Sequence, residues 1–216
     1  LIAAALVLAL PTFASGARAD QRDMILDALQ QELARSKKSL EFDDHAPPYY
    51  IGYRLVDRHS ALAEARFGAL TQTDTRHQRS VAVDVRVGDY KFDSSPNAED
   101  MDFSGPDGFR PSNVAPIDDD PAALRATLWL LTDAAYKQAL STHLRKRANK
   151  VIKVEKKHVD SFSLEPKVEF SDSAKIFEAD VPAWGAMARA VSAVFRNDDG
   201  LLDGTVRISA DWDRIY

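Results

Sequence analysis

Hydrophobic positions recur along the chain in two periods, one typical of helices and one typical of strands. Three helices are predicted where apolar residues follow an aspartate that can serve as an N-cap. They run from Asp20 or Asp23 to about Lys38, from Asp120 with Pro121 in the first position to about Asn149, and from near Asp180 to about Asn197. The second helix is expected to be the longest element of the protein.

Each helix is expected to turn its larger apolar side chains toward a core. The first contributes Met24, Ile25, Ala28, Leu29 and Leu33. The second contributes Leu124, Leu128, Leu131 and Ala135, and a wider stripe of Trp129, Tyr136, Leu140 and Leu144. The third is expected to bury Trp184, Met187, Val191, Val194 and Phe195.

Strict alternation of apolar and polar residues predicts four strands, with charge on one face. The predicted strands are 49–56, 61–69, 81–87 and 206–213, and Val151, Ile152 and Val154 suggest a further short one. Short polar stretches at 57–60 and 73–76 are interpreted as connections, which favours a meander. Gly88 and Asp89 suggest a bulge. The predicted fold class is α+β, an antiparallel β-meander packed against two or three helices.

Residues 94–119 show no periodic apolar pattern and are rich in Ser, Pro, Gly and Asp. A connection of this length exceeds the usual loop, and such loops either move freely or carry function. We favour a mobile connector over a substrate lid, because few apolar residues are present to anchor it. Residues 158–179 are also expected to be irregular.

Residues 1–19 resemble the end of a secretory signal peptide that is truncated at its start. An apolar run from Leu1 to Leu10 is followed by Pro11, and Ala17-Arg18-Ala19 supplies small residues before a cleavage site. The run is too short for a membrane span, which needs roughly 20 apolar residues. We therefore expect an exported protein, periplasmic or extracellular, with residues 20–216 forming a single α+β domain.

Composition limits the classes of function that fit this chain. The net charge of −5 argues against a dedicated nucleic-acid-binding protein, which would usually present a strongly basic face. The absence of Cys excludes thiol nucleophiles, thiolate zinc sites and iron–sulfur clusters within these residues. An exported protein with a sufficiently large core does not need disulfides.

The histidines and serines form no recognisable catalytic motif. His45, His59, His77, His143 and His158 lack the three- or four-residue spacing that places two ligands on one helix face, and no Gly-x-Ser-x-Gly elbow occurs. His59 and His77 flank strands and are expected to be able to meet across the sheet, but we favour surface histidines over a metal site. The sequence therefore predicts no catalytic, cofactor-binding or metal-ligating residue.

Clusters of like charge are interpreted as solvated turns and helix ends. The acidic clusters are Asp43-Asp44, Glu99-Asp100-x-Asp102, Asp118-Asp119-Asp120 and Asp198-Asp199 with Asp203, and none has the spacing of a calcium loop. The basic run at 144–157 could touch anionic surfaces. We favour its other interpretation, favourable charge at the C-terminal end of a long helix.

Several stretches together resemble the N-terminal part of exported bacterial proteins of the TldD/PmbA family, which are related to metallopeptidases. They are Pro47–Arg54, Arg66–Leu70, Val83–Tyr90, Ala135–Lys137 and Gly204–Ser209. In that family the zinc lies in a C-terminal domain on a His-Glu-x-x-x-His helix, and this chain contains no such motif. The resemblance therefore transfers no catalytic residue.

The resemblance implies a non-catalytic N-terminal domain that shapes a peptide-binding cavity or a dimer, with the C-terminal metal domain absent from this chain. No cofactor is expected here, and zinc is expected only in that C-terminal domain. Partners would be the C-terminal domain, a homo- or hetero-dimer of family members, and a peptide substrate, without nucleic acid or a membrane span. The alternative is a stand-alone periplasmic binding or interaction domain without enzymatic activity.

Overall fold

A computed structural model describes residues 23–42, 45–95, 113–152, 160–172 and 177–216. Within these residues, three α-helices pack on a four-stranded antiparallel sheet. This arrangement confirms the predicted α+β class. The predicted signal peptide at 1–19 and most of the predicted loop at 94–119 lie outside the described residues. No helix in the described ranges has both the length and the apolar character needed to cross a bilayer.

The sheet is built on one long hairpin. Strand β1 (Tyr50–Arg66) and strand β2 (Ala69–Arg86) pair along their whole length, with one register shift between Glu64 and Ala65. Phe67 and Gly68 connect them and both have positive φ angles, 45° and 77°. Two left-handed residues in succession are the signature of a tight hairpin turn whose twist matches that of the flanking strands. Phe67 is unusual there because a side chain disfavours positive φ.

Two predicted connections are therefore wrong. Residues 57–60 and 73–76 lie inside β1 and β2, paired with 76–79 and 60–63. Polar side chains in these stretches suggested turns, yet the backbone alternation continues through them because the hairpin extends past its apolar core. The predicted bulge at Gly88 is also wrong, since β2 ends at Arg86 and Gly88 forms an isolated bridge with Asp93.

Two helices cover the half of the hairpin farthest from its turn. Helix α1 (Met24–Ser39) is capped by Asp23, and helix α2 (Pro121–Ile152) follows Asp120, whose carboxylate accepts hydrogen bonds from two backbone amides of the first turn. Their buried residues meet the sheet around Leu55 and Val81. The predicted strand at 151–152 is wrong, because α2 continues through those residues.

Helix α3 (Val181–Ala193) covers the other half, near the hairpin turn, and packs on β1, β2 and β4. It begins near Asp180 as predicted, with the Asp180 side chain as its cap, and a 3₁₀ turn at Val194–Asn197 continues it. Its packing face is made of small residues, Gly185, Ala188 and Ser192. The prediction that Met187, Val191 and Val194 are buried is wrong, since all three are exposed. On the facing strand β1, Ala61, Ala63 and Ala65 are buried. Small residues on both sides therefore leave little space for larger side chains between α3 and the sheet.

The final strand β4 (Thr205–Ile215) pairs with β1 and alternates half-buried with exposed residues, as predicted. The short strand β3 (Asn113–Val114) pairs with Ser80 and Val81 on the opposite edge. The face of the sheet away from the helices carries ion pairs, including Arg58 with Asp213 and Arg207 with Glu64. One face is therefore covered and the other is polar, as the alternation predicted.

Candidate functional site

Two histidines and an aspartate meet on the helix-covered face of the sheet, between the part covered by α1 and α2 and the part covered by α3. Asp57 and His59 come from β1, and His77 lies directly opposite His59 on β2. One ligand-type atom from each of the three side chains lies within 4.8 Å of the others. Strand alternation explains the clustering, since residues two apart on one strand share a face with their cross-strand partners.

The Asp57 carboxylate is shared between the imidazoles and an arginine. Its Oδ1 atom lies 2.6 Å from Nε2 of His77 and 3.8 Å from Nε2 of His59. Its Oδ2 atom accepts a hydrogen bond of 2.9 Å from Nη2 of Arg79. One oxygen therefore faces both imidazoles, while the guanidinium holds the other.

Arg79 is fixed from a second direction by the segment that leads into α2. Its Nη2 donates to Oδ1 of Asp119 at 3.0 Å, and its Nη1 donates to the carbonyl oxygens of Pro116 and Asp118. The side chain is 3% exposed. Asp57 and Asp119 together carry two negative charges against the one positive charge of Arg79.

Aromatic rings extend the cluster across the sheet. The His59 ring stacks on the His77 ring at 4.0 Å between centroids and on the Trp212 ring at 5.4 Å. Phe177 packs edge-on against Trp212 and also contacts Trp184 of α3. This row of rings stacks the two imidazoles on each other and connects them to α3.

Burial and neighbouring charges set the protonation of the cluster. Burial opposes ionisation of Asp57, but hydrogen bonds from Arg79 and His77 outweigh it and lower the pKa of the carboxyl group. Burial lowers the pKa of His59, and the nearby His77 adds to this effect. Asp57 is therefore a carboxylate at neutral pH, and His59 favours the neutral imidazole that ligates metals.

The expectation that His59 and His77 can meet across the sheet is confirmed, while Asp57 and Arg79 were missed. Both fall in or beside stretches that were interpreted as connections. The missed signal is their spacing, because Asp57 and His59 on one strand match His77 and Arg79 at the same interval on the other. A continuous hairpin brings all four together.

The remaining histidines lie apart from this cluster. His45 stacks on Phe42, and His143 of α2 packs against Phe92. His158 lies outside the described residues.

The acidic clusters act largely as the sequence predicted. Asp120 caps α2, Asp198 accepts a hydrogen bond from the Gly200 amide, and Asp203 pairs with Arg66. Asp119 is an exception, since it pairs with Arg79. Asp43-Asp44 and the cluster at 99–102 lie outside the described residues. In the basic run, Lys146 donates to the Ser95 carbonyl oxygen, and the side chains from 150 to 157 are not described.

Comparison with known protein families, with curated proteins and with solved structures found no match to this chain.

Proposed function

We propose that this chain is a non-catalytic N-terminal domain of an exported TldD/PmbA-like protein related to metallopeptidases, and that it works by forming a dimer that borders a peptide-binding cavity. The observation that supports this proposal is the outer face of α3. Met187, Val191 and Val194 are 47%, 46% and 64% exposed on that face. Their exposure in water is unfavourable unless another surface covers them.

The occupant we propose for this face is a second copy of the chain. Helix α3 carries one charged residue, Arg189, in 13 residues. Two copies related by a two-fold axis would therefore place apolar surfaces together with little repulsion between like charges. Self-complementary apolar patches of this kind are typical of homodimer interfaces.

The TldD/PmbA resemblance is compatible with this arrangement. The stretches that carry the resemblance lie largely on the strands β1, β2 and β4 of the sheet and on helix α2, which covers it. In the proposed dimer, these elements would support the wall of a cavity, and the C-terminal metal domain of the parent protein would supply the chemistry.

The second candidate is a stand-alone binding domain, and a cleft between α2 and the end of β2 favours it. Polar side chains line this cleft, among them Arg86, Ser95, Gln138 and Thr142. A small polar ligand would find several hydrogen-bonding groups there. Reading the gene beyond Tyr216 separates the two candidates: a downstream His-Glu-x-x-x-His motif supports the first, and an immediate stop codon supports the second.

Sedimentation velocity of the full chain tests the dimer. We expect self-association that is lost in Met187→Glu, because a buried charge without a partner is costly in an apolar interface. The matched control is Leu130→Glu, which alters an exposed leucine on α2 and should leave association unchanged. A wild-type chain that stays monomeric at 100 μM or more, on the order of the weakest specific associations, would contradict the proposal.

A further inference from the structure

We propose that Asp57, His59 and His77 form a binding site for a divalent transition-metal ion of the zinc class. The inference departs from the sequence-based expectation that this chain holds no metal, and it does not depend on the proposed dimer. It begins from the three side chains that the hairpin register brings together, two imidazoles and one carboxylate.

The donor set matches the preferences of such ions. Two imidazole nitrogens and one carboxylate oxygen suit Zn²⁺ and its neighbours, whereas Ca²⁺ and Mg²⁺ prefer oxygen ligands alone. Three protein ligands leave a fourth position for water, and the side chains of His59 and His77 are 37% and 31% exposed. The ion would therefore reach the site from solvent.

The distances require only small side-chain movements. Ligand atoms around a four-coordinate zinc ion at about 2.0–2.2 Å from the metal are roughly 3.3–3.6 Å from one another. Oδ1 of Asp57 lies 2.6 Å from one Nε2 and 3.8 Å from the other, which brackets that separation. The stacked imidazoles would have to tilt, because both ring planes must point at the ion. Rotation about side-chain torsions provides this movement.

Arg79 is positioned to orient Asp57, one of the three proposed ligands. It binds Oδ2 of Asp57 and leaves Oδ1 toward the imidazoles. Carboxylate ligands in metal sites are commonly held in this way by a second hydrogen bond. Its positive charge would oppose a cation if it stood alone, but Asp119 pairs with the same guanidinium at 3.0 Å.

Protons compete with the ion for the same atoms. Each imidazole ligates a metal through an unprotonated nitrogen. Affinity for the ion should therefore fall as the pH is lowered.

Equilibrium dialysis of the full chain against Zn²⁺ tests the site, with bound zinc measured by elemental analysis. We expect one equivalent in the wild-type protein. His59→Phe and His77→Phe keep an aromatic ring in the stack but remove a ligand. Each should weaken binding by about 100-fold or more, since loss of even an outer hydrogen-bonding partner commonly costs 10–100-fold. His45→Phe is the matched control and should bind zinc as the wild type does.

A second measurement needs no variant. In the proton NMR spectrum of the unaltered protein, Zn²⁺ should shift the ring signals of His59 and His77 at one equivalent, while those of His45 stay in place. Absence of zinc binding in dialysis, or zinc that is retained equally by all three variants, would overturn the proposal. Histidine signals that shift together, without preference for the pair, would also overturn it.

Discussion

The two halves of the hairpin are covered in different ways. Where α1 and α2 lie, the sheet presents Leu55 and Val81, both fully buried against Leu128 and neighbouring large residues. Where α3 lies, β1 presents Ala61, Ala63 and Ala65, which are also buried. Complete burial is therefore achieved with bulky side chains in one half and with close approach of the backbone in the other.

The size of the side chains on the sheet determines which residues of each helix are exposed to solvent. A helix that fits on alanines must turn small residues inward, so the larger residues of α3 are directed outward. Helix α2 turns Leu124, Leu128, Tyr136 and Leu140 inward. Helix α3 and the turn after it thus expose Met187, Val191 and Val194, while α2 buries a stripe of large residues and also leaves Trp129, Leu130 and Leu144 exposed. The Asp57–His59–His77 cluster lies where the two halves meet.

The largest expected effect is in the half with bulky side chains. Leu128→Ala removes a fully buried side chain and leaves a cavity, so the free energy of unfolding should fall by about 2–5 kcal/mol. Urea denaturation followed by circular dichroism measures this loss. Leu130→Ala on the exposed face of α2 is the control and should change stability by less than about 0.5 kcal/mol. Similar losses in both variants would show that α2 does not pack as described.

The opposite substitution tests the half built from small residues. Ala188→Leu inserts a larger side chain between α3 and the alanines of β1, and should lower stability by about 1–3 kcal/mol through overpacking. Ala186→Leu, on the exposed side of the same helix, should cost much less. Urea denaturation of both variants measures the contrast. A stabilised Ala188→Leu protein would mean that space remains beneath α3.

A hydrogen bond joins the hairpin turn to α3. The Gly68 amide donates to the buried Ser192 Oγ atom at 2.9 Å. Ser192→Ala leaves this amide without its acceptor and should lower the free energy of unfolding by about 1 kcal/mol. Ser209→Ala, on the exposed face of β4, is the control. Equal thermal midpoints for the two variants would contradict the role of Ser192.

Mild acid should weaken the packing of α2 through His143. Burial lowers the pKa of His143 below its ordinary value of 6.5. The positive charges of Arg147 and Lys146 lower this pKa further, and the negative charges of Asp93 and Asp89 offset only part of the shift. The folded state binds a proton at His143 less readily than the unfolded state does. The stability contributed by the neutral His143 side chain is therefore complete above pH 6.5. The contribution is lost as the pH falls through the lower, folded pKa.

Denaturation at pH 7.5 and pH 5.5 measures this effect. His143→Gln should reduce the loss of stability between the two values. Between pH 8 and 9, where histidine does not titrate, the variant and the wild type should show equal slopes. A loss between pH 7.5 and 5.5 that is unchanged in the variant would assign the acid sensitivity to other groups.

The features of the fold that depend on local sequence could be predicted. Asp23, Asp120 and Asp180 begin the three helices as expected, because a cap acts on the amides of its own first turn. The polar middle of the hairpin resembles turns in composition, so the sequence predicts three shorter strands at 49–56, 61–69 and 81–87 in its place. Only the long-range register shows that these residues are paired.

The face of α3 and the candidate site failed to follow from sequence for a related reason. Hydrophobicity predicts that Met187 and Val191 point inward. The size of the side chains on the facing sheet, however, decides which face of the helix packs against it. The meeting of His59 with His77 could be foreseen from adjacent strands. Asp57 and Arg79 join them only because the strands continue through the polar stretch.

Hydrogen exchange at two protein concentrations tests the central claim, that the small-residue half of the molecule supplies an assembly surface. Amides of α3 and α2 would be followed by mass spectrometry at a low and a high concentration of the full chain. We expect the protection of α3 amides to rise with protein concentration, while the protection of α2 amides stays constant. Protection of α3 that does not depend on concentration, or a rise confined to α2, would contradict it.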